Sequence, residues 1–413
     1  MEINGARILL EMLKKQGVTD MFGYPGGKVI PFYNELYDFK GINHILTRHE
    51  QGASHAADGY ARVTGKVGVC VSTSGPGATN LVTGIMTAFM DSIPMVAITG
   101  QVATNQIGKD AFQESDVTGI TMPITKHNYL IKDVRDIPRV VKEAFYIAST
   151  GRPGPVLIDI PSDIQLEKIP VKEFEKLASE KCEIKSYSPN YEGHPKQIRM
   201  AAKLIKEAKR PLILAGHGVL ISQATEEFLE FVEKTNIPVA QTLLGLGAIP
   251  VSHRLSLKMM GMHGTAAANY AVYESDLIIA VGMRFDDRVT GKLETFAKNS
   301  KIIHIDIDPA EIGKNKKPDV PIVGDIKNVL VQLNKKVKPR EEDEWNKKVM
   351  DWLDEHELPY KKEDIKRITN SKGSTEAFEI ILDKDTKAQY YEGTTHAPLF
   401  LESEIKIIIN IRS

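Results

Sequence analysis

Glu50 stands where an apolar run (Ile42, Ile45, Leu46) gives way to the small, alanine-rich stretch 51–62. A strand passing into a helix leaves the junction residue at the strand's carboxyl end, the side on which open α/β sheets bind ligands. A carboxyl held there among small and apolar neighbours can exchange a proton near neutral pH. The same residues admit a structural role. Thr47-x-x-Glu50 has the form of a capping box, in which the two residues satisfy each other's backbone amides at the helix start.

Other constellations carry weaker chemistry. Gly75-Pro76-Gly77 follows the apolar run 67–72, but Pro76 has no amide hydrogen, so the turn offers fewer donors than a phosphate loop needs. It suits the close approach of a flat ligand to backbone, or a plain strand-to-helix turn. Tyr24-Pro25-Gly26-Gly27 has the same character. Gly216-His217-Gly218 resembles the start of a dinucleotide fingerprint, but Ile221 occupies the third glycine position. Asp306 and Asp308 can bond ribose hydroxyls or be solvated turn residues. Arg284, Asp286, Asp287 and Arg288 read as a surface ion-pair cluster or as an arginine placed for a carboxylate or phosphate. His263, between Met262 and Gly264, can lie near a flat ligand or be structural. HExxH, paired CxxC, P-loop and nucleophile-elbow motifs are all absent from the sequence.

These residues need a scaffold, and the periodicity supplies one. A helix is expected over 3–16, a short strand at 21–23 and a helix over 29–37. Strands are expected at 67–72, 94–99 and 154–160, with a helix over 81–90 between the first two. Strands alternating with helices imply a parallel sheet covered on both faces, a first domain over 1–165. The polar stretch 186–195 reads as a linker. The pattern then restarts, with strands near 211–215, 238–242, 276–281 and 301–307, giving a second domain over 190–334. Residues 335–360 read as a linker helix with Trp345, Val349, Trp352 and Leu353 on one face. Residues 361–413 read as an irregular tail, in which 405–411 combines high β-propensity with low charge.

Composition narrows the class. The 413 residues are 42% hydrophobic and 26% charged, and 53 basic side chains against 54 acidic give a net charge of −1. No nucleic-acid surface is expected. Cys70 and Cys182 are too few for a disulfide scaffold. Glu2, Arg7, Glu11 and Lys14 interrupt the N-terminal apolar residues, and no run of about 18 uncharged apolar residues occurs. A cytoplasmic protein without a membrane span is therefore expected.

Eight segments in register resemble one family. They are Tyr-Pro-Gly-Gly, Arg-His-Glu-Gln-Gly-Ala, Thr-Ser-Gly-Pro-Gly-Ala-Thr-Asn, Ala-Phe-Gln-Glu, Gly-Arg-Pro-Gly-Pro-Val, Gly-Met-His-Gly, Arg-Phe-Asp-Asp-Arg-Val-Thr-Gly and Ile-Asp-Ile-Asp-Pro-Ala-Glu-Ile. Over residues 1–360 the chain resembles the catalytic subunits of the acetohydroxyacid (acetolactate) synthase family, which are thiamine-diphosphate-dependent. The resemblance implies two doubly wound parallel α/β domains in tandem, an aminopyrimidine-binding domain followed by a Rossmann-like FAD-binding domain. It implies condensation of two pyruvates, or of pyruvate and 2-ketobutyrate, with loss of CO2. Glu50 would then bond the cofactor's aminopyrimidine and promote loss of the thiazolium C2 proton. Tyr24, Pro25, Gly26, Gly75, Pro76 and Gly77 would line the thiamine diphosphate cleft. Phe112 and Gln113 would flank the reacting centre, and Arg288 would meet the acceptor's carboxylate. The implied FAD residues are Arg152, Gly216, His217, Gly218, Met262, His263, Gly264, Arg284, Asp286, Arg288, Asp306, Ile307 and Asp325. The partners implied are 2-keto acids, further copies in a homodimer or tetramer, and a small regulatory subunit.

The resemblance also has a gap. The family binds the diphosphate through Mg2+ with a Gly-Asp-Gly motif in a third domain. Here Gly324-Asp325 is followed by Ile326 and falls within the second domain. Ligands for Mg2+ are thus not expected in this chain, and the reading is a truncated or split subunit. The alternatives are a pyruvate-oxidase-like enzyme and a non-catalytic FAD-binding or oligomerisation module.

Overall fold

The computed structural model describes residues 1–355 and, beyond them, the backbone of Ile365–Thr369, Thr375–Ile381 and Lys406–Asn410. It forms two compact units, Met1–Pro189 and Asn190–Ser413.

The first unit contains strands β1 (Glu2–Asn4), β2 (Asp20–Gly23), β3 (Asn43–Leu46), β4 (Gly68–Ser72), β5 (Met95–Gln101), β6 (His127–Leu130), β7 (Pro155–Pro161) and β8 (Lys168–Pro170). Six of them make one parallel sheet in the order β3-β2-β4-β5-β7-β6. β4, β5 and β7 are buried along their whole length, as expected of strands covered on both faces. The helix expected from residue 3 begins at Gly5, because Asn4 caps it by accepting a hydrogen bond from the Arg7 amide at 2.8 Å. Residues 2–4 pair instead with β8, so the unit runs past residue 165, and Phe174 joins the same core. After β3 on one side of β2 the chain crosses to β4 on the other. The sheet's switch point therefore lies between β2 and β4, and ligands bind outside the strand ends at such a point.

The second unit holds β9 (Pro211–Ala215), β10 (Val239–Gln241), β11 (Ser256–Met259), β12 (Leu277–Val281), β13 (Lys301–Asp306) and β14 (Val320–Val323). Their parallel order, β11-β10-β9-β12-β13-β14, is that of a dinucleotide-binding sheet, with its switch point between β9 and β12. The helix Glu344–Glu355, expected within a linker, is part of this unit's core. Trp345 and Val349 are buried with Leu212 and Phe285, and the Trp345 indole donates to the Pro211 carbonyl at 2.9 Å. In the segment read as an irregular tail, β15 (Ile365–Thr369), β16 (Thr375–Ile381) and β17 (Lys406–Asn410) pair antiparallel. The burial of residues 405–411 lies outside what is described.

One buried carboxyl lies in the first sheet. Asp159 on β7 is 1% exposed and accepts from Thr99 Oγ1 at 2.7 Å and Gln101 Nε2 at 2.9 Å. Burial pushes its pKa up to about 7, against the lowering effect of those two donors. In the unfolded chain the group titrates near its ordinary value of about 4. The folded state therefore holds the proton more tightly. Its contribution to stability is fully present below about pH 4 and is lost as the pH rises through about 7. Urea midpoints should fall between pH 5 and pH 8, and Asp159→Asn should flatten that slope. An unchanged slope in the variant would assign the pH dependence elsewhere.

Candidate functional site

The ends of β2, β3 and β4 bring the first cluster together. Thr47, just past β3, is tied to the Gly23 carbonyl at the end of β2 by its amide at 3.1 Å and its hydroxyl at 3.3 Å. It is therefore not part of a capping box. His49 caps the helix Glu50–Thr64 through Nδ1, which accepts from the Gln51 amide at 3.1 Å. Glu50 is the first helical residue, and its carboxyl is free to turn inward. It is 8% exposed, and Asn80 Nδ2 donates to Oε2 at 2.9 Å. Asn80 closes the short helix Pro76–Asn80, which starts from Gly75 after β4.

Around the other carboxylate oxygen, Gly77 and Gly26 pack closely on the side chain of Thr73. A Cβ on Gly77 would lie 2.7 Å from Thr73 Cγ2 and 3.1 Å from Glu50 Oε1, and one on Gly26 would lie 2.5 Å from Thr73 Cγ2. Thr73 Oγ1 also accepts from the Lys28 amide at 3.0 Å, so this one side chain joins the β2 turn to the β4 turn. The Gly77 amide is committed to the Ser74 carbonyl at 3.2 Å, and Pro76 has none to offer. The two glycine turns and the carboxylate thus meet around Thr73, and with its amides committed the turn is not a phosphate cradle. Tyr24 and Pro25 lie exposed at its edge. Phe112 is 84% exposed, and Gln113, at φ 58°, sits on Gly75, where a Cβ would be 2.7 Å from the Gln113 carbonyl oxygen.

In the second unit the strand ends bring most of the remaining candidates to one edge. Gly216 and Gly218 turn their amides inward, to the Val281 and Gly282 carbonyls at 2.9 and 3.0 Å. A Cβ on Gly216 would lie 2.1 Å from the Gly282 carbonyl oxygen, so the pair allows two loops to cross at the switch point. His217 lies between the two glycines. The Met262 amide donates to the Arg288 carbonyl at 2.9 Å, so the loop carrying Met262, His263 and Gly264 is docked on the Arg288 turn. Asp286 caps that turn through the amides of Arg288 and Val289, while the Arg288 side chain is 74% exposed. Arg284 precedes the turn, and Asn315 Nδ2 donates to its carbonyl at 3.3 Å. Asp306 is buried at the end of β13, followed by half-buried Ile307. Asp325 caps the helix Ile326–Asn334 and accepts from Ser222 Oγ at 2.8 Å. Arg152 belongs to the other unit, where its Nε donates to Ser92 Oγ at 2.8 Å.

Thr73 and Asn80 were not singled out from sequence. Both lie within the Thr-Ser-Gly-Pro-Gly-Ala-Thr-Asn segment, and the only available signal was that its polar ends flank the glycines.

Two family models match the chain. One is described as "Thiamine pyrophosphate enzyme, N-terminal TPP binding domain" and covers residues 3–120. The other is described as "Thiamine pyrophosphate enzyme, central domain" and covers residues 198–333. Together they account for more than half of the chain, which belongs to the thiamine pyrophosphate enzymes and carries their N-terminal and central domains. Within that family it is similar to a "Probable acetolactate synthase large subunit" of Methanocaldococcus jannaschii, 58% identical over 80% of this chain and 56% of the relative. An "Acetolactate synthase" of Mycobacterium bovis is 56% identical over 80% of this chain and 53% of the relative. An "Acetolactate synthase large subunit" of Buchnera aphidicola subsp. Schizaphis graminum is 49% identical over 88% and 64%. The chain thus spans little more than half the length of these curated relatives.

If Thr73 joins the two turns, Thr73→Val should leave the Lys28 amide without its acceptor while preserving shape. The expected loss is about 1–2 kcal/mol, read as a lower urea midpoint at unchanged denaturant slope. A variant as stable as the parent would show that the hydroxyl does not hold the β2 turn.

Proposed function

We propose that this chain supplies the aminopyrimidine-binding and central domains of an acetolactate synthase large subunit. In this reading it acts in the cytoplasm on pyruvate and 2-ketobutyrate, on the route to branched-chain amino acids. The observation that carries the proposal is Glu50 in a domain matched as thiamine pyrophosphate-binding. It is buried at a switch point, held by Asn80 through one oxygen, and faced by the Gly77 turn at the other. When bound, thiamine diphosphate supplies the electron sink that lets a 2-keto acid lose CO2. The chain's own residues prepare for this. Gly26 and Gly77 let the two turns close on Thr73 beside Glu50, and Tyr24, Pro25, Gly75 and Pro76 wall the cleft. Asn80 orients Glu50, whose Oε1 is left to bond a ring nitrogen and move a proton there. Phe112 and Gln113, beside Gly75, are assigned to the substrate.

The second unit is assigned FAD at its switch point, with Gly216, His217 and Gly218 on one side and Arg284 and Asp306 on the other. The crossing glycines suit close approach of a dinucleotide. The exposed guanidinium of Arg288, beside Met262 and His263, is assigned an anionic group. Among the described residues no cluster of three or more His, Cys, Asp or Glu can hold a metal ion. By the family resemblance, Mg2+ and the diphosphate are assigned to another domain or chain, and further copies of the chain and a small regulatory subunit to the assembly. Among the described residues no helix is long and apolar enough to cross a membrane.

Titration of the whole chain with thiamine diphosphate tests the central claim. Loss of a hydrogen bond to a charged group should weaken binding about tenfold or more in Glu50→Gln, with a smaller loss in Asn80→Ala. Equal affinity in wild type and Glu50→Gln would overturn the assignment. When a chain carrying a diphosphate-binding domain is added, acetolactate should form from pyruvate. Peroxide formation instead would indicate an oxidase.

FAD binding is tested separately. After reconstitution and desalting, flavin absorbance should remain with the protein and be unaffected by Glu50→Gln. A folded sample without flavin would remove FAD from the proposal.

A further inference from the structure

Gln113 is a non-glycine residue in the left-handed region, at φ 58°, a conformation that costs an L-residue free energy unless its surroundings impose it. The imposing group is Glu114. Its amide donates to the Ala111 carbonyl at 2.8 Å, and its Oε2 accepts from the Ala111 amide at 2.9 Å, so main chain and side chain both close the turn over 111–114. Its other oxygen, Oε1, accepts from the Gly108 amide, which ties in the preceding bend, where Asp110 is also left-handed at φ 54°. Gly108 and then Ala111 accordingly hold this carboxyl below the ordinary carboxylate range. At its far side the loop is anchored by Gln101 Nε2, which donates to the Ser115 carbonyl at 2.9 Å.

The turn so formed rests on the candidate cleft. A Cβ on Gly75 would lie 2.7 Å from the Gln113 carbonyl oxygen and 2.9 Å from its Cβ. Gly75 opens the helix Pro76–Asn80, which carries both Gly77, over Glu50 Oε1, and Asn80, on Glu50 Oε2. A continuous line of contacts thus runs from the Glu114 carboxylate through Gln113 and Gly75 to both oxygens of Glu50.

We propose that Glu114 is a positioning residue: by holding Gln113 left-handed it presses that turn onto Gly75 and fixes the wall of the cleft above Glu50. The proposal deepens the thiamine diphosphate reading and rests on it for its functional meaning. Two amides need two acceptor oxygens. Glu114→Gln keeps the shape but offers one acceptor and sets an amide donor against the second N–H.

The experiment is hydrogen–deuterium exchange on the whole chain, with thiamine diphosphate binding measured alongside. In Glu114→Gln, exchange should rise about tenfold over residues 107–114 and also, by a smaller factor, over residues 74–80, with the rest of the unit unchanged. The double variant Glu114→Gln, Gln113→Gly should recover protection over 74–80, because glycine adopts the left-handed conformation without strain. Exchange that rises only over 107–114, or a double variant that recovers nothing, would reduce Glu114 to a local loop clip and overturn the proposal. Should Glu114→Gln fail to fold, Glu114→Asp, whose shorter carboxylate cannot reach both amides, is read in its place by the same criteria. Thiamine diphosphate should bind severalfold more weakly to Glu114→Gln than to wild type. If neither binds it, the functional reading fails, and the exchange data still decide whether Glu114 positions the wall.

Discussion

Gly68, at the start of β4, lies directly on the backbone of Ala57, so closely that a Cβ there would be 2.1 Å from the Ala57 carbonyl oxygen. Gly84, on the helix Val82–Asp91, meets Ser54 in the same way, with a would-be Cβ 2.2 Å from its hydroxyl. Between these two contacts the helix Glu50–Thr64 is held against the sheet by a face of Ala53, Ala57 and Ala61. Such proximity is available only to small residues, since close-packed interiors do not yield to added methyl groups without cost. It brings the first turn of this helix up to the end of β4, within hydrogen-bond reach of Asn80. The position of Glu50 is thus a consequence of packing at Ser54 and Ala57, further along its helix, as much as of its own surroundings.

The two units use the same topological device for different purposes. In the first, Gly26 and Gly77 pack closely on the Thr73 side chain beside the Glu50 carboxyl, and Thr73 joins the two turns at a fixed spacing. In the second, Gly216, Gly218 and Gly282 cross with their amides bonded inward, and the edge is furnished by Arg284, Asp306 and the docked loop of Met262. In the proposed reading the carboxyl exchanges a proton with a heterocycle. A glycine crossing flanked by an arginine and a buried aspartate suits the extended binding of a dinucleotide.

Much of this was legible in the chain itself. The predominantly apolar runs that became β4, β5, β7, β9, β12 and β13 are buried over all or nearly all of their length, and burial on both faces makes a parallel strand readable as a continuous run. The edge strand β6 (His-Asn-Tyr-Leu) and the short β11 (Ser-Leu-Lys-Met) carry no such run, β14 is only four residues and is interrupted by Pro321, and none of the three was read. Trp345 and Val349 were placed on one helical face, but sequence spacing could not tell a linker from a helix whose indole bonds to the Pro211 carbonyl of β9.

The sequence by itself determined the succession of strands and helices, the strand-end location of Glu50 and of the glycine turns, and the family, because these depend on local periodicity and on residue types in fixed order. Only the tertiary structure decided how those turns meet. Thr47 fits a capping box as a string of letters, yet its hydroxyl belongs to Gly23, 24 residues earlier. Asn80 reaches Glu50 across 30 residues, and the Glu114 turn rests on Gly75. Contacts between residues so far apart leave no periodic trace in one chain. They arise when a crossover sets separate strand ends side by side, and that geometry is fixed by the packing of the whole sheet.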